Sequence, residues 1–483
     1  MMNPIVTRFA PSPTGYMHIG NLRTALYAYL LAKSKGGTFI LRIEDTDRER
    51  LVDQAVQVIY DTLNLAGLHH DEGPDIGGSR GPYVQSERKD IYLEHARKLV
   101  ENGHAYYCFC DKERLSSLQG ENGAGGYDRH CRSLSQAEVE AKLAAGLPYV
   151  IRQKNPLTGT TSYTDTVFGE ISIDNAELQD AVLIKADGYP TYNLANVVDD
   201  HLMDITHVVR GSEYVTSTPL YVQLYSMFGW ETPIFVHLPL IMGRNEDGSV
   251  SKLSKRHGSV SFQDLVEDGY LPEAIINYIA LLGWSPGNTN EEFFNLEDLS
   301  RVFSVDTINK SPAVFDYDKL LWFNSAYIRK LPVDAFRTLA APYLEKAITK
   351  PEINKDKLLT LIQSRLEKFS QIPEMVAFFE AMPELDVELF VNKKNKVTAE
   401  LAKELLPTII DSLESADVWE NDALFERLKN LSEAAGIKAG ALMWVARVAV
   451  SGLMNTPGGA TDILEIIGKA EALSRLKASL ARL

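Results

Sequence analysis

The sequence predicts an α/β half followed by an all-helical half. Three observations carry this. The N-terminal region reads as strand, glycine-containing loop, helix and strand, the opening of a nucleotide-binding α/β unit. Beyond about Val333, apolar residues recur at helical spacing and β signals become rare. The chain's 483 residues exceed one hydrophobic core, so two to five domains of about 100–200 residues are expected.

The first strand is predicted over Ile5–Phe9. It runs into Pro11-Ser12-Pro13-Thr14-Gly15, a cluster of breakers that must be a loop. A helix over Ile19–Lys33 follows, with Leu22, Ala25, Leu26, Tyr29 and Leu30 on one stripe. Thr38–Ile43 is β-rich, and Glu44-Asp45-Thr46-Asp47 stands at its end. In the middle of the chain, Gly120–Gly126 reads as a mobile loop. Val182-Leu183-Ile184 reads as a strand, and Asp187-Gly188 as a tight turn. Helices are expected over Lys357–Phe369, Ala399–Leu413, Ala423–Ala435 and Leu473–Leu483. No internal repeat is evident.

Composition bounds the setting. With 45% hydrophobic and 24% charged residues, this is an ordinary globular chain. No apolar run of about 18 residues occurs, so no membrane span is expected. The N-terminus lacks a signal-peptide pattern. The three cysteines, Cys108, Cys110 and Cys131, are odd in number and clustered. That argues against a secreted disulfide framework and for a reducing, cytoplasmic location. The net charge of −16 speaks against nucleic-acid binding. Phosphate contacts, however, need only a local basic surface.

Two segments carry the chemistry. Arg8-Phe-Ala10-Pro-Ser12-Pro-Thr-Gly15-Tyr-Met-His18-Ile-Gly20-Asn21 places a strand-to-helix turn where backbone N–H groups and the helix dipole favour phosphate. Gly20 allows a flat base to approach the backbone, and His18 can donate to phosphate oxygens as charge moves. The plainer reading is a helix start with a proline-rich lead-in. Far downstream, Lys252-Leu-Ser254-Lys255-Arg256 follows the polar, glycine-containing stretch Gly243–Ser251. Two lysines three apart on a mobile loop can neutralise a departing pyrophosphate. Alone, that segment reads better as a solvated basic loop.

Together the two segments resemble the signature sequences of class I aminoacyl-tRNA synthetases. With Leu41-Arg-Ile-Glu-Asp-Thr-Asp47 and Tyr189-Pro-Thr-Tyr-Asn-Leu-Ala-Asn-Val-Val-Asp-Asp-His201, the wording is similar to bacterial-type glutamyl-tRNA synthetase. The likeness continues through Gly258–Leu282 and Phe315–Arg329 to Gly452–Leu476. The resemblance implies a Rossmann-type catalytic domain over 1–83 and 191–235 and an inserted acceptor-stem domain over 84–190. It implies a stem-contact domain over 236–328, then α-helical anticodon-binding domains over 329–385 and 386–483. It implies ATP-dependent joining of L-glutamate to tRNA(Glu) by a monomer, with Mg2+ accompanying ATP. Catalysis falls to His18, Gly20, Lys252 and Lys255, and ATP binding to His18, Gly20, Asn21, Glu213 and Lys255. Glutamate falls to Arg8, Ala10, Ser12, Glu44, Tyr192, Asn196 and Arg210. Arg8 and Arg210 suit the side-chain carboxylate and Glu44 the α-ammonium.

Zn2+ is a further candidate. Related synthetases bind it through Cys-x-Cys, a later Cys and a His two residues beyond. Here Ser133 stands at that last position. Cys108, Cys110 and Cys131 remain, with Tyr127 as fourth ligand by resemblance to the glutamyl-queuosine enzymes, and with His130 as an alternative. In the tail, Arg365 falls at an anticodon-reading position and Lys393-Lys394-Asn-Lys396 is a candidate phosphate patch. Four other readings compete. A glutaminyl enzyme would carry β-barrel anticodon domains, and a glutamyl-queuosine enzyme would end near residue 300. A nucleotidyltransferase does not need the helical tail. A silent tRNA-binding paralogue should have lost His18, Lys255 or Arg210. Whether tRNA(Gln) is also charged is left open.

Overall fold

The computed structural model describes residues 4–47, 54–118, 127–287 and 289–483. The glycine-rich segment Gly120–Gly126 lies outside the described residues. The chain divides into two compact units. One comprises the residues up to Leu265 with Ile275–Asp316, and the other Val266–Ala274 with Tyr317–Leu483. The helical part therefore starts at Tyr317, earlier than composition suggested, because Leu271, Ala274 and Ile328 belong to its apolar core. Among the described residues no helix is long and apolar enough to cross a membrane.

In the first unit the strand Val6–Phe9 pairs in parallel with Thr38–Leu41, with Arg8 opposite Ile40. The helix Ile19–Ser34 connects them. Its expected stripe is buried at Leu22, Ala25, Leu26 and Leu30, but Arg23, Tyr27 and Ala28 are buried too, while Tyr29 is only partly covered. A helix covered on more than one face loses the one-sided pattern that a stripe analysis assumes. The strand His207–Gly211 pairs in parallel with Ile234–Leu238. It is joined to the first strand's N-terminus by Thr206, whose N–H donates to the Val6 carbonyl at 3.0 Å. A hairpin of Thr160–Asp165 and Gly169–Asp174 extends this sheet through Asp165 opposite Phe235.

Within the middle of the chain, Ala105–Cys108, Val150–Gln153 and Val182–Ile184 form a small antiparallel sheet. The predicted strand at Val182 is present, and Gly188 takes the left-handed conformation (φ 78°) that its turn requires. The stretch Gly243–Ser251 is not a loop. Ile241–Arg244 and Val250–Lys252 form a hairpin with Gly243 opposite Ser251. Its turn is closed by the Asn245 N–H on the Ser249 carbonyl at 2.8 Å and the Ser249 N–H on Asp247 Oδ1 at 2.9 Å. Its polar residues satisfy a turn instead of marking a disordered loop.

The second unit is helical, as expected. Ala399–Glu414, Asn421–Ala434 and Lys469–Arg482 match their predicted spans closely. The helix expected over Lys357–Phe369 occupies Lys355–Gln363. It stops there because the N–H groups of both Arg365 and Leu366 close on the Ile362 carbonyl, and Leu366 turns into the core. The buried Arg475 bolts the C-terminal helix in place. Its Nη1 donates to the Phe378 carbonyl at 2.6 Å and the Val450 carbonyl at 3.2 Å, and its Nη2 to the Phe379 carbonyl at 2.8 Å. These carbonyls end two other helices and have few partners of their own. Arg475→Met should cost about 3 kcal/mol or more, since each buried polar group left bare costs about 1–3 kcal/mol. A lowered urea midpoint at unchanged slope is the expected readout.

Candidate active site

The first strand, the second strand and the helix Tyr192–Leu202 meet over a buried ionic network. Arg8 pairs with Asp200 through two contacts, Nε to Oδ1 at 3.0 Å and Nη2 to Oδ2 at 3.3 Å. Arg42 reaches Asp200 Oδ1 at 2.8 Å and Glu44 Oε1 at 3.2 Å. The neighbouring Asp199 accepts from Arg88 at 2.7 Å, from Gln85 at 2.8 Å and from Tyr92 at 2.8 Å. Burial alone would raise the Asp200 pKa, but Arg8 and Arg42 hold it below the usual carboxylate value. For Glu44 burial prevails over Arg42 and Arg8, and its pKa is pushed up.

Above this network opens a cavity of about 660 Å³. Its lining brings together Arg8, Ala10, Ser12, His18, Gly20, Asn21, Glu44, Tyr192, Arg210, Glu213, Lys252 and Lys255. The first signature segment is tied by main-chain bonds to the residues that follow the second. The Ile19 N–H donates to the Val260 carbonyl at 2.9 Å, and the Phe262 N–H to the Met17 carbonyl at 3.1 Å. His18 caps the helix, its Nδ1 accepting from the Gly20 N–H at 3.0 Å. That fixes the tautomer of the neutral ring and leaves Nε2–H to donate. Burial chiefly lowers the His18 pKa; the Leu253 backbone opposes this and the Lys252 charge adds to it.

Lys252 ends the hairpin strand and Lys255 begins the single turn Lys255–His257. Both side chains are exposed, and neither makes an ion pair among the described residues. His257 braces the turn: its Nδ1 lies 3.1 Å from the Ser254 N–H and its Nε2 2.9 Å from Asn245 Oδ1. Gly243 makes room for that ring, since a Cβ there would come within 2.6 Å of it.

Arg210 is the unusual member. It is buried, yet no carboxylate pairs with it among the described residues. Its guanidinium carbon lies 5.0 Å from the Tyr214 ring centre and 4.9 Å from that of Tyr221, and Nη1 is 3.4 Å from the Tyr192 hydroxyl. Aromatic faces partly compensate a buried cation. A ligand carboxylate would complete the compensation.

Elsewhere, the sulfurs of Cys108, Cys110 and Cys131 lie within 4.8 Å of one another, with Cys110 and Cys131 at 3.6 Å. Four thiolates at about 2.3 Å around zinc would stand about 3.8 Å apart, so the cluster suits that ion. The Tyr127 hydroxyl is 3.3 Å from the Cys108 sulfur, whereas His130 is exposed and outside the cluster. Not every expected residue reaches the cavity. Asn196 is buried behind it, and its amide donates to the Tyr192 and Asn193 carbonyls of its own helix. Arg365 lies in the helical unit, where its Nη1 donates to the Thr456 carbonyl at 3.2 Å.

Comparison with known proteins accounts for the arrangement. Residues 4–322 match the model of class I tRNA synthetases (E and Q), catalytic domain, and residues 327–480 an anticodon binding domain. The chain is 55% identical to a glutamate–tRNA ligase of Clostridium acetobutylicum, covering 100% of this chain and 99% of that protein. It is also 55% identical to the Clostridium tetani ligase, over 100% and 98%. The crystal structure of a glutamate tRNA ligase from Elizabethkingia meningosepticum in complex with its amino acid superposes with a TM-score of 0.90. The two are 34% identical, with 100% of each chain covered. The chain belongs to the glutamate–tRNA ligase family. It is a class I ligase with a mixed α/β catalytic part and a helical anticodon-binding part.

Several residues of this ligase's cavity escaped the sequence analysis. Arg23, Gly211 and Tyr214 line it, as does the run Leu238–Ile241. Arg23 sits on the buried face of the first helix, where a search for apolar spacing passes over a cation. Its Nη1 donates to the Leu282 carbonyl at 3.1 Å and its Nη2 to that of Pro239. A Cβ at Gly211 would meet the Glu213 carboxylate at 2.1 Å, so the glycine is what allows Glu213 to fold over the strand end.

Proposed function

We propose that this ligase activates L-glutamate with ATP to glutamyl-adenylate and transfers it to the 3′ end of tRNA(Glu), releasing AMP and pyrophosphate. The observation that carries the reading is Arg210, a buried guanidinium without a carboxylate, in the same cavity as His18 and the two loop lysines. The substrate's side-chain carboxylate supplies the missing charge. Arg8, already committed to Asp200, contributes positive potential and its remaining N–H groups. Glu44 accepts the α-ammonium, and Ala10, Ser12 and Tyr192 complete the wall. Asn196 supports that wall from behind by fixing the first turn of the Tyr192 helix.

No protein nucleophile is needed. The glutamate α-carboxylate attacks the α-phosphate of ATP, and the terminal ribose hydroxyl of tRNA then attacks the adenylate. The enzyme's part is alignment and charge stabilisation. Gly20 and Asn21 present the helix N-terminus, His18 donates from Nε2, Glu213 stands on the ATP side, and Lys252 and Lys255 neutralise the departing pyrophosphate. Mg2+ enters with ATP, held by phosphates and water. The three cysteines with Tyr127 hold a structural Zn2+ in the inserted domain over 84–190. Of the remaining divisions, 236–328 contacts the stem, and 329–385 and 386–483 read the anticodon, with Arg365 at a base. The enzyme works as a cytoplasmic monomer.

The deciding experiment is exchange of labelled pyrophosphate into ATP with glutamate, with and without tRNA, followed by charging of purified tRNA(Glu) and tRNA(Gln) side by side. Exchange is expected only when tRNA is present, because the acceptor end brings ATP or the Lys255 loop to its productive position. Robust exchange by rigorously tRNA-free enzyme would remove that coupling, and charging of tRNA(Gln) would make the enzyme non-discriminating. His18→Ala should slow adenylate formation about 10²–10³-fold with glutamate binding nearly unchanged, as expected for loss of one transition-state donor. Single-turnover rates check this. Arg210→Leu should weaken glutamate use by about 3–5 kcal/mol, the cost of leaving a buried charge unpaired. A glutamate KM equal to that of the unaltered enzyme would place the carboxylate elsewhere.

A further inference from the structure

Arg210 is aimed by something, because a guanidinium on a flexible stem selects a ligand only when its plane is fixed. The strands carrying Arg210 and His237 are parallel neighbours, with the two residues in register. His237 is fully buried. Its Nε2 lies 3.0 Å from Arg210 Nε, and its Nδ1 lies 2.7 Å from Asp165 Oδ2. Asp165, equally buried at the end of the hairpin strand Thr160–Asp165, is itself immobilised. Its Oδ1 accepts from the N–H groups of Val167 at 2.9 Å and Phe168 at 2.8 Å, and its Oδ2 from the His237 N–H at 3.1 Å.

These bonds fix the tautomer of His237. An ionised carboxylate only accepts, so His237 Nδ1 must donate to it. In the neutral ring Nε2 then offers only a lone pair, which takes the Arg210 Nε–H. Thr218 pins the same guanidinium a second time: its Oγ1 accepts from Nη2 at 2.7 Å while donating to the Tyr214 carbonyl at 2.7 Å. With Nη1 also beside the Tyr192 hydroxyl, one N–H remains on each terminal nitrogen. Both remaining groups are donors. They match two carboxylate oxygens and oppose the NH2 end of a carboxamide.

We propose that His237, held by Asp165, is a positioning residue that orients the Arg210 guanidinium and so sets selection of a carboxylate over a carboxamide side chain. The proposal rests on the reading of Arg210 as the carboxylate anchor. A protonated His237 would turn an N–H toward the Arg210 Nε–H and break the alignment. Its surroundings keep it neutral: burial is the main cause of a lowered pKa, the Asp165 hydrogen bond opposes it, and the Arg210 charge adds to it.

The test uses the full-length enzyme with tRNA present and compares His237→Leu, His237→Gln, Arg210→Leu and the double variant with leucine at both positions. His237→Leu is expected to raise the glutamate KM about 10–100-fold, the range for losing a hydrogen bond to a charged group. The kcat and the ATP KM should move by less than about twofold, and the preference for glutamate over glutamine should fall. His237→Gln, whose carbonyl can accept from Arg210, should recover most of the loss. In the Arg210→Leu background the second substitution should add nothing to the glutamate KM, because His237 acts through Arg210. An additive double variant, or equal losses in kcat and both KM values for leucine and glutamine at position 237, would make His237 a structural support and overturn the proposal. Raised KM in Arg210→Leu with none in His237→Leu would overturn it alone, whereas an unchanged KM in Arg210→Leu would remove the carboxylate anchor itself. Should the leucine variant fail to fold, 15N-histidine spectra of the unaltered enzyme decide. The signal absent from His237→Gln must show a protonated Nδ1 and an unprotonated Nε2, and a protonated Nε2 would overturn the assignment.

Discussion

Two adjacent carboxylates at the centre of the catalytic unit, Asp199 and Asp200, set the conditions for everything around the cavity. They follow one another on the helix Tyr192–Leu202 and so project in different directions. Asp200 takes Arg8 from the first strand and Arg42 from just beyond the second, and Asp199 takes Arg88, Gln85 and Tyr92. A buried charge is tolerated only when paired and hydrogen-bonded, so each partner requires the others to be in place. Three arginines, two aspartates and Glu44 balance in sign. The floor of the cavity is thereby an electrically closed set that a ligand need not complete.

Against that closed floor, Arg210 stands out as a buried positive charge with no carboxylate paired to it among the described residues. A site that binds a charged side chain must keep its complementary charge uncompensated when empty, and must still fold. Here the tyrosine faces, the Thr218 hydroxyl and the neutral edge of His237 partly compensate the buried charge. Lys252 and Lys255 avoid the same cost differently, by staying exposed to water.

Much of this was legible in the sequence. Breakers and helical spacing located the first strand, the first helix and four of the nine α-helices described from Tyr317 onward. The two signature segments identified the cavity residues because each motif contributes a contiguous run. Other features were not visible for physical reasons. The hairpin before Lys252 is built from polar residues whose hydrogen bonds satisfy a turn, and composition cannot distinguish that from a loop. Arg23 and His237 are polar residues in buried positions, justified by backbone and side-chain partners far away in sequence. Asn196 does not line the cavity, and its amide nitrogen bonds carbonyls of its own helix, a contact that the motif alone does not reveal.

The bonds that tie Met17 and Ile19 to Val260 and Phe262 also bear on how the enzyme is made. The paired residues come from the beginning and the middle of the chain, roughly 240 residues apart. At about 5–20 residues per second, a ribosome needs on the order of 10–50 s to synthesise the interval. Throughout that time the first strand and helix exist without the segment that seats His18. A growing chain can therefore complete this pairing only after Val260 has been made. A chain ending before residue 252 would carry the whole of the first segment and none of the second.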